Sequence, residues 1–242
     1  MLYFSSLIKS IPEYKPAADR LFAALESSST EYRLLDCTRD IWLRDFMPVR
    51  TKNGKYISFR YEPSYLTGYT DIRTDYRKDI APLFDFPVIY SDINLDGGNV
   101  VFSPSGENVI ISDRIFSENP KYKKEKLIIE LERLLEANVI IIPSLKSDMT
   151  GHTDGMVRFV DEKTVIGNSL PSKNGLEQRI KNALKEYGIT VIDFPYYYSP
   201  KDSAEGCYLN FLETDSRIFL PVFGKETDAY ALKKHKNCFT KK

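Results

Sequence analysis

The sequence predicts an α/β repeat closed around a central site, and three observations predict it. Four polar segments recur at near-constant spacing: Asp45, Gly97, His152 and Tyr208 follow one another at separations of 52, 55 and 56 residues. Between them the same local order returns, a helical apolar stripe, then a short β-branched run, then the polar segment. No phosphate-cradling glycine fingerprint follows a strand, which argues against a doubly wound sheet. Regular spacing of this size is what units produce when each delivers one functional segment to a shared place.

The elements follow in order. Leu2-Tyr3-Phe4 predicts a strand, Leu21 and Leu25 mark a helix, and Tyr32 to Leu35 is the next strand, with Cys37 placed on it. Asp40-Ile41-Trp42-Leu43-Arg44-Asp45-Phe46-Met47-Pro48 then sets the only tryptophan between two carboxylates and an arginine. Leu95-Asp96-Gly97-Gly98-Asn99-Val100 puts a carboxylate beside a glycine pair. After the strand Val109-Ile110-Ile111, the residues Leu127, Ile128, Leu131, Leu134 and Leu135 form a helical stripe, and Val139-Ile140-Ile141-Ile142 is again a strand. Leu176, Ile180, Ala183, Leu184 and Tyr187 make the next stripe, stopped by Gly188 and followed by the strand Val191-Ile192-Asp193-Phe194. Gly206-Cys207-Tyr208-Leu209-Asn210-Phe211 closes the series in a strand-like setting, where Tyr208 and Asn210, two apart, share a face.

Gly151-His152-Thr153-Asp154-Gly155-Met156-Val157-Arg158-Phe159 carries the most chemistry, since it holds one of only two histidines. On extended backbone residues i and i+2 project to one side, which would set the His152 imidazole beside the Asp154 carboxylate as an acid/base pair. A lone His-x-Asp is more often a hydrogen-bonded structural pair, and the company of the other three segments is what raises the catalytic reading.

Composition narrows the partners. Lys+Arg and Asp+Glu are both 34 in 242 residues, a balance that does not favour nucleic acid or an anionic membrane, so a small-molecule substrate is expected. There is no charged-then-apolar N-terminal signal and no apolar run of membrane-spanning length. Three cysteines without a C-x-x-C pattern suit a reducing cytoplasm, and the length allows one domain over residues 1–242. Lys233 to Lys242 read as a solvated helix end and tail.

Trp-x-Arg-Asp followed by Pro, Asp-Gly-Gly-Asn, Gly-His-x-Asp-Gly-Met-x-Arg-Phe, and Tyr-x-Asn-Phe with a later Leu-Pro-Val-Phe-Gly together resemble the agmatine deiminase and bacterial-type peptidyl-arginine deiminase family, from about Leu2 to the end of the chain. The resemblance implies a pseudo-fivefold α/β propeller of ββαβ units, the last one incomplete here. It also implies hydrolysis of a guanidino group, agmatine to N-carbamoylputrescine and ammonia as in putrescine biosynthesis, or peptidyl-arginine to citrulline. No metal or organic cofactor is implied. A guanidinium is a planar fork of donors, so carboxylates must receive it, and Asp45 and Asp154 fit that task. Trp42 could stack on its face, with core packing as the plainer alternative. By resemblance a cysteine thiolate attacks the guanidino carbon, His152 protonates the leaving amine and later activates water, and Asp45 and Asp154 complete the catalytic set. Asp96, Asn99 and Asn210 are the further substrate contacts, although Asp96 and Asn99 also fit an ordinary turn and Tyr208 a structural role. Arg44 and Arg158 are assigned to ion pairs with neighbouring carboxylates, and Tyr196-Tyr197-Tyr198 before Pro200 to an extended surface segment.

The nucleophile is the departure. Asn237-Cys238-Phe239-Thr240 only superficially resembles the family's closing cysteine motif, and no glycines precede it. Continuing the repeat places a fifth segment near position ~260, beyond Lys242. The expectation is therefore a fold without its final strand and catalytic cysteine, impaired as an enzyme and prone to self-association through an open edge. The alternatives are a non-catalytic guanidino-binding remnant and, more weakly, a metal hydrolase using His152, Asp154, Asp45 and Asp96, for which one histidine is few.

Overall fold

The computed structural model describes residues 1–169, 175–197 and 205–239, and the expectations for Tyr198, Pro200, Thr240 and the last lysines fall outside them. The chain forms two compact units, residues 1–50 with 54–97 and residues 51–53 with 98–242.

In the first unit, strand β1 (Leu2–Ser5) runs through the short helix α1 (Leu7–Ser10) into helix α2 (Lys15–Ser27) and returns as β2 (Tyr32–Leu35), parallel to β1 with Leu2 opposite Tyr32. Helix α2 opens with Pro16 in its first turn, where a missing amide costs nothing, and buries Ala18, Phe22 and Leu25 on one side. Cys37 lies in a turn after β2 and not in the strand. Helix α3 (Leu43–Phe46) buries Leu43 and Phe46 and leads to β3 (Val49–Arg50), which pairs antiparallel with β4 (Tyr56–Arg60). A π-turn at Tyr76–Ile80 and short 3₁₀ turns connect β4 to β5 (Val88–Asn94), which is parallel to it. Leu35, Leu43, Phe46, Tyr61, Tyr76 and Ile80 make a core of this unit.

In the second unit, β6 (Val101–Phe102) and β7 (Asn108–Ser112) form a hairpin. Helices α4 (Arg114–Glu118) and α5 (Lys124–Leu135) then carry the chain to β8 (Asn138–Ile142), parallel to β7 with Ile110 opposite Ile140. Helix α5 buries Leu127, Leu131, Leu134 and Leu135, the spacing of a single apolar stripe. The order repeats. Strands β9 (Val157–Asp161) and β10 (Thr164–Asn168) form a hairpin, α6 (Leu176–Lys185) follows, and β11 (Thr190–Phe194) returns parallel to β10. Strands β12 (Leu212–Glu213) and β13 (Ile218–Phe219) form a last hairpin before α7 (Thr227–Cys238). The described sheets are five and hold two or three strands each, not a single doubly wound sheet, and the ββαβ order is complete in β6 to β8 and in β9 to β11. Tyr187, read as part of the α6 stripe, is exposed, because the helix ends at Lys185 and the chain turns at Gly188 with φ of 71°.

Candidate active site

The first unit gathers carboxylates. Trp42, at the start of α3, is 54% exposed, which removes the core-packing alternative for it. Its amide donates to Asp40 Oδ1 at 2.7 Å, and burial raises the Asp40 carboxyl above its ordinary range against the pull of the Trp42 and Ile41 amides. Asp45 is half-buried on α3, and Asp96 is buried directly before the turn at Gly97–Asn99. A side chain at Gly97 would overlap the carbonyl of Arg44, so glycine there lets the turn approach the backbone beside Asp45.

Two tyrosines that the sequence reading missed complete this cluster. Tyr65 Oη donates to Asp96 Oδ2 at 2.9 Å and shares a hydrogen bond with Tyr61. Burial first, and then the charges of Asp96 and Asp45, push the Tyr65 hydroxyl far above the ordinary phenol range. Burial and the fields of Asp45, Asp96 and Asp40 do the same to Tyr61. Tyr61 and Tyr65 lie in a Pro-containing connection with no periodicity, and nothing in their spacing announced them.

The second unit places Asp154 in a folded turn directly after His152, which corrects the expectation of one extended segment. The Thr153 carbonyl accepts from the amides of Met156 at 2.9 Å and Val157 at 2.8 Å, so residues 153–156 curl and strand alternation does not apply to them. The curl is anchored from below. Buried Thr153 donates its hydroxyl to Asn99 Oδ1 at 2.8 Å, the same oxygen receives the Ser112 amide at 2.9 Å, and the Asp154 amide donates to the Gly98 carbonyl at 3.1 Å. Asn99 is buried by these bonds, so the structure gives the expected substrate contact a fastening duty. Ahead of His152, Asp148 Oδ1 collects the amides of Thr150 and Gly151 and the Thr150 hydroxyl, and Gly151 adopts φ of 57°. His152 and Asp154 themselves are half-buried.

The Cys207–Asn210 segment is also a turn and not strand-like, with a single bridge from Cys207 to Tyr196. Tyr208 and Asn210 therefore do not share a face. Tyr208 is fully buried and bonds through its hydroxyl to Thr227 and Asp228, each at 2.7 Å, whereas Asn210 is exposed. Gly206, with φ of 91°, permits this turn, since a side chain there would strike the Tyr197 backbone. Arg158 pairs with Glu213 at 3.4 Å and caps the carbonyls of Leu209 and Phe211, as the ion-pair assignment anticipated.

None of the three thiols is activated. Burial raises Cys37, Cys207 and Cys238 above the ordinary thiol range, and Cys238 ends α7 against a core that includes Phe211 and Phe239. Among the described residues no three or more His, Cys, Asp or Glu side chains group so as to hold a metal ion, and no helix is long and apolar enough to cross a membrane.

No curated protein matches the sequence. Among solved structures, a cysteine-to-serine variant of the C. jejuni agmatine deiminase with substrate bound aligns over 99% of this chain and 85% of its own, with a TM-score of 0.71 at 17% identity. The agmatine deiminase of Enterococcus faecalis aligns over 87% of this chain and 70% of its own, with a TM-score of 0.67 at 19% identity. DDAH from Pseudomonas aeruginosa, complexed with citrulline, covers 91% of this chain and 79% of its own at a TM-score of 0.53 and 14% identity. These likenesses show a shared α/β fold. The model of the Porphyromonas-type peptidyl-arginine deiminase family matches residues 7–242, and the chain belongs to that family.

Proposed function

We propose that this protein recognises a small guanidino compound, agmatine before an arginine derivative, and carries the recognition and proton-transfer groups of a guanidino-group deiminase. One observation carries the reading: Asp45 and Asp96 act together on the buried Tyr61 and the half-buried Tyr65, with Tyr65 bonded to Asp96, so that burial first and then these charges raise both phenols, and the same charges favour a cation. In the first unit, Asp45 and Asp96 accept hydrogen bonds from a cationic donor, and exposed Trp42 offers a flat wall for stacking. In the second unit, Asp154 has the same acceptor chemistry and His152 moves protons to and from the reacting amine. Asn210 contacts substrate, and Asn99 acts by fixing the turn that bears Asp154.

Hydrolysis by this route needs a thiolate at the guanidino carbon. The three thiols here are raised by burial, which supports binding without turnover by the 242-residue chain. No cofactor is assigned a role, and the fold's pseudo-fivefold propeller arrangement and a cytoplasmic setting belong to the same proposal. The test is a titration with agmatine beside its ureido analogue N-carbamoylputrescine, which lacks the guanidinium charge. Agmatine should bind at least about tenfold more tightly, the scale of one charge-assisted hydrogen bond. Equal affinity for the two would overturn the reading.

A further inference from the structure

Behind the Asp154 turn lies a buried polar node that the deiminase reading does not use. Asn168, the last residue of β10, is buried, and its amide nitrogen donates to the Gly155 carbonyl at 2.5 Å and toward Cys207 Sγ at 3.5 Å. Cys207 is buried too, and its thiol donates to the same Gly155 carbonyl at 3.4 Å. The backbone N–H of Asn168, which no substitution there removes, adds a bond to the Met156 carbonyl at 3.2 Å. The backbone N–H groups of Leu209 and Asn210 also donate toward the sulfur, and the Asn210 backbone N–H reaches the Cys207 carbonyl at 3.3 Å.

Two turns that are unrelated in sequence are thus tied through one amide and one thiol. Gly155 and Met156 belong to the turn of Asp154, and Leu209 and Asn210 to the turn of the exposed asparagine. Both hydrogens of the Asn168 amide are used, while its oxygen is buried without a hydrogen-bond partner among the described residues. An unsatisfied oxygen of that kind costs about 1–3 kcal/mol, so packing alone would favour an apolar side chain at this position. The donors are what the position retains.

We propose that Asn168 and Cys207 form a positioning node that sets the Asp154 and Asn210 turns for a guanidino ligand. The proposal rests on the functional reading above for the ligand, and on hydrogen bonds alone for the node. Its side chains touch no ligand and act through the two turns. A serine at position 207 keeps one donor and one acceptor and should preserve the node, whereas alanine removes both. Leucine at position 168 keeps the shape and removes both donors.

The experiment measures backbone amide exchange and agmatine binding for the unmodified protein, Asn168→Leu, Cys207→Ala and Cys207→Ser. Asn168→Leu and Cys207→Ala should speed exchange by about tenfold or more at Met156, Leu209 and Asn210, but not at Ile110 and Ile111 of β7, which serve as the control for global unfolding. Agmatine affinity should fall with them by about tenfold, and Cys207→Ser should retain both properties. Unchanged exchange at those amides in Asn168→Leu, or intact agmatine affinity despite faster exchange, would overturn the positioning role. If the unmodified protein ignores agmatine, the guanidino reading fails, and the exchange arm still decides whether the node holds the two turns. Cys207→Ala, a smaller change, covers the case in which Asn168→Leu does not fold.

Discussion

Tyr65 gives its only hydroxyl proton to Asp96, 2.9 Å away, and burial, followed by the charges of Asp96 and Asp45, raises both this phenol and its neighbour Tyr61. Tyr65→Phe should lower stability by about 1.5–3 kcal/mol, the range for a hydrogen bond to a charged group, because buried Asp96 loses a donor. Urea unfolding should show a lower midpoint at an unchanged m-value, and an unaltered midpoint would mean that the bond carries no net stability.

Gly97→Ala should be worse. The added methyl would collide with the Arg44 carbonyl, and backbone on one side or the other must move. A loss of about 2–4 kcal/mol is expected, together with weakened agmatine binding, since the displaced backbone adjoins Asp45. A well-folded variant of full affinity would show that the turn does not set the position of Asp45.

Stability should depend on His235. This residue of α7 is buried against Phe211 and stacks on Phe239 at 4.5 Å, and burial lowers its pKa to about 4, assisted by Arg158 and opposed by Glu213. In the unfolded chain it titrates near its ordinary value of 6.5. Between those two values the unfolded state binds the additional proton, so stability is complete above about 6.5 and falls as pH drops toward about 4. The loss should be on the order of 2 kcal/mol, and His235→Phe should flatten that part of the pH profile. An equal slope in the variant would assign the dependence to other groups.

The edge of β13 leads to a prediction about assembly. Strands β4, β7 and β10 each pair antiparallel with one neighbour and parallel with another, whereas β13 has only β12 beside it among the described residues. Open backbone donors and acceptors attract further strands. Sedimentation should therefore reveal concentration-dependent association, and a monomer at every concentration would remove the idea.

Turnover is expected to be absent. With every thiol raised by burial, ammonia and a carbamoyl product should not form from agmatine in the presence of the 242-residue chain. Product that appears with the unmodified chain and vanishes in Cys238→Ala would make Cys238 the nucleophile.

Periodic packing was readable from the sequence; folded turns were not. Val109 to Ile111 and Val139 to Ile142 are continuous apolar runs because they pair in a buried parallel ladder, and α5 shows a stripe because it buries one face, at Leu127, Leu131, Leu134 and Leu135. For the His152 and Tyr208 segments the sequence predicts extended backbone, because alternation is the simplest rule for short polar and apolar mixtures. In the fold, the Thr153 carbonyl and the Cys207 sulfur bend these segments, and alternation stops where the backbone curls. Asp96 and Asn99 were noticed for their glycines, yet their different duties depend on partners distant in sequence, Tyr65 for one and Ser112 and Thr153 for the other. Such long-range pairs leave no local pattern.

The account rests on carboxylate recognition of a guanidinium, and calorimetric titration of agmatine into the unmodified chain, Asp45→Asn and Asp154→Asn tests it most directly. The unmodified chain should bind, and each amide variant, which keeps its shape and loses its charge, should bind about tenfold or more weakly, the measure of about 1.5–3 kcal/mol for a charge-assisted pair. No heat of binding to the unmodified chain, or the same affinity in all three proteins, would contradict the claim.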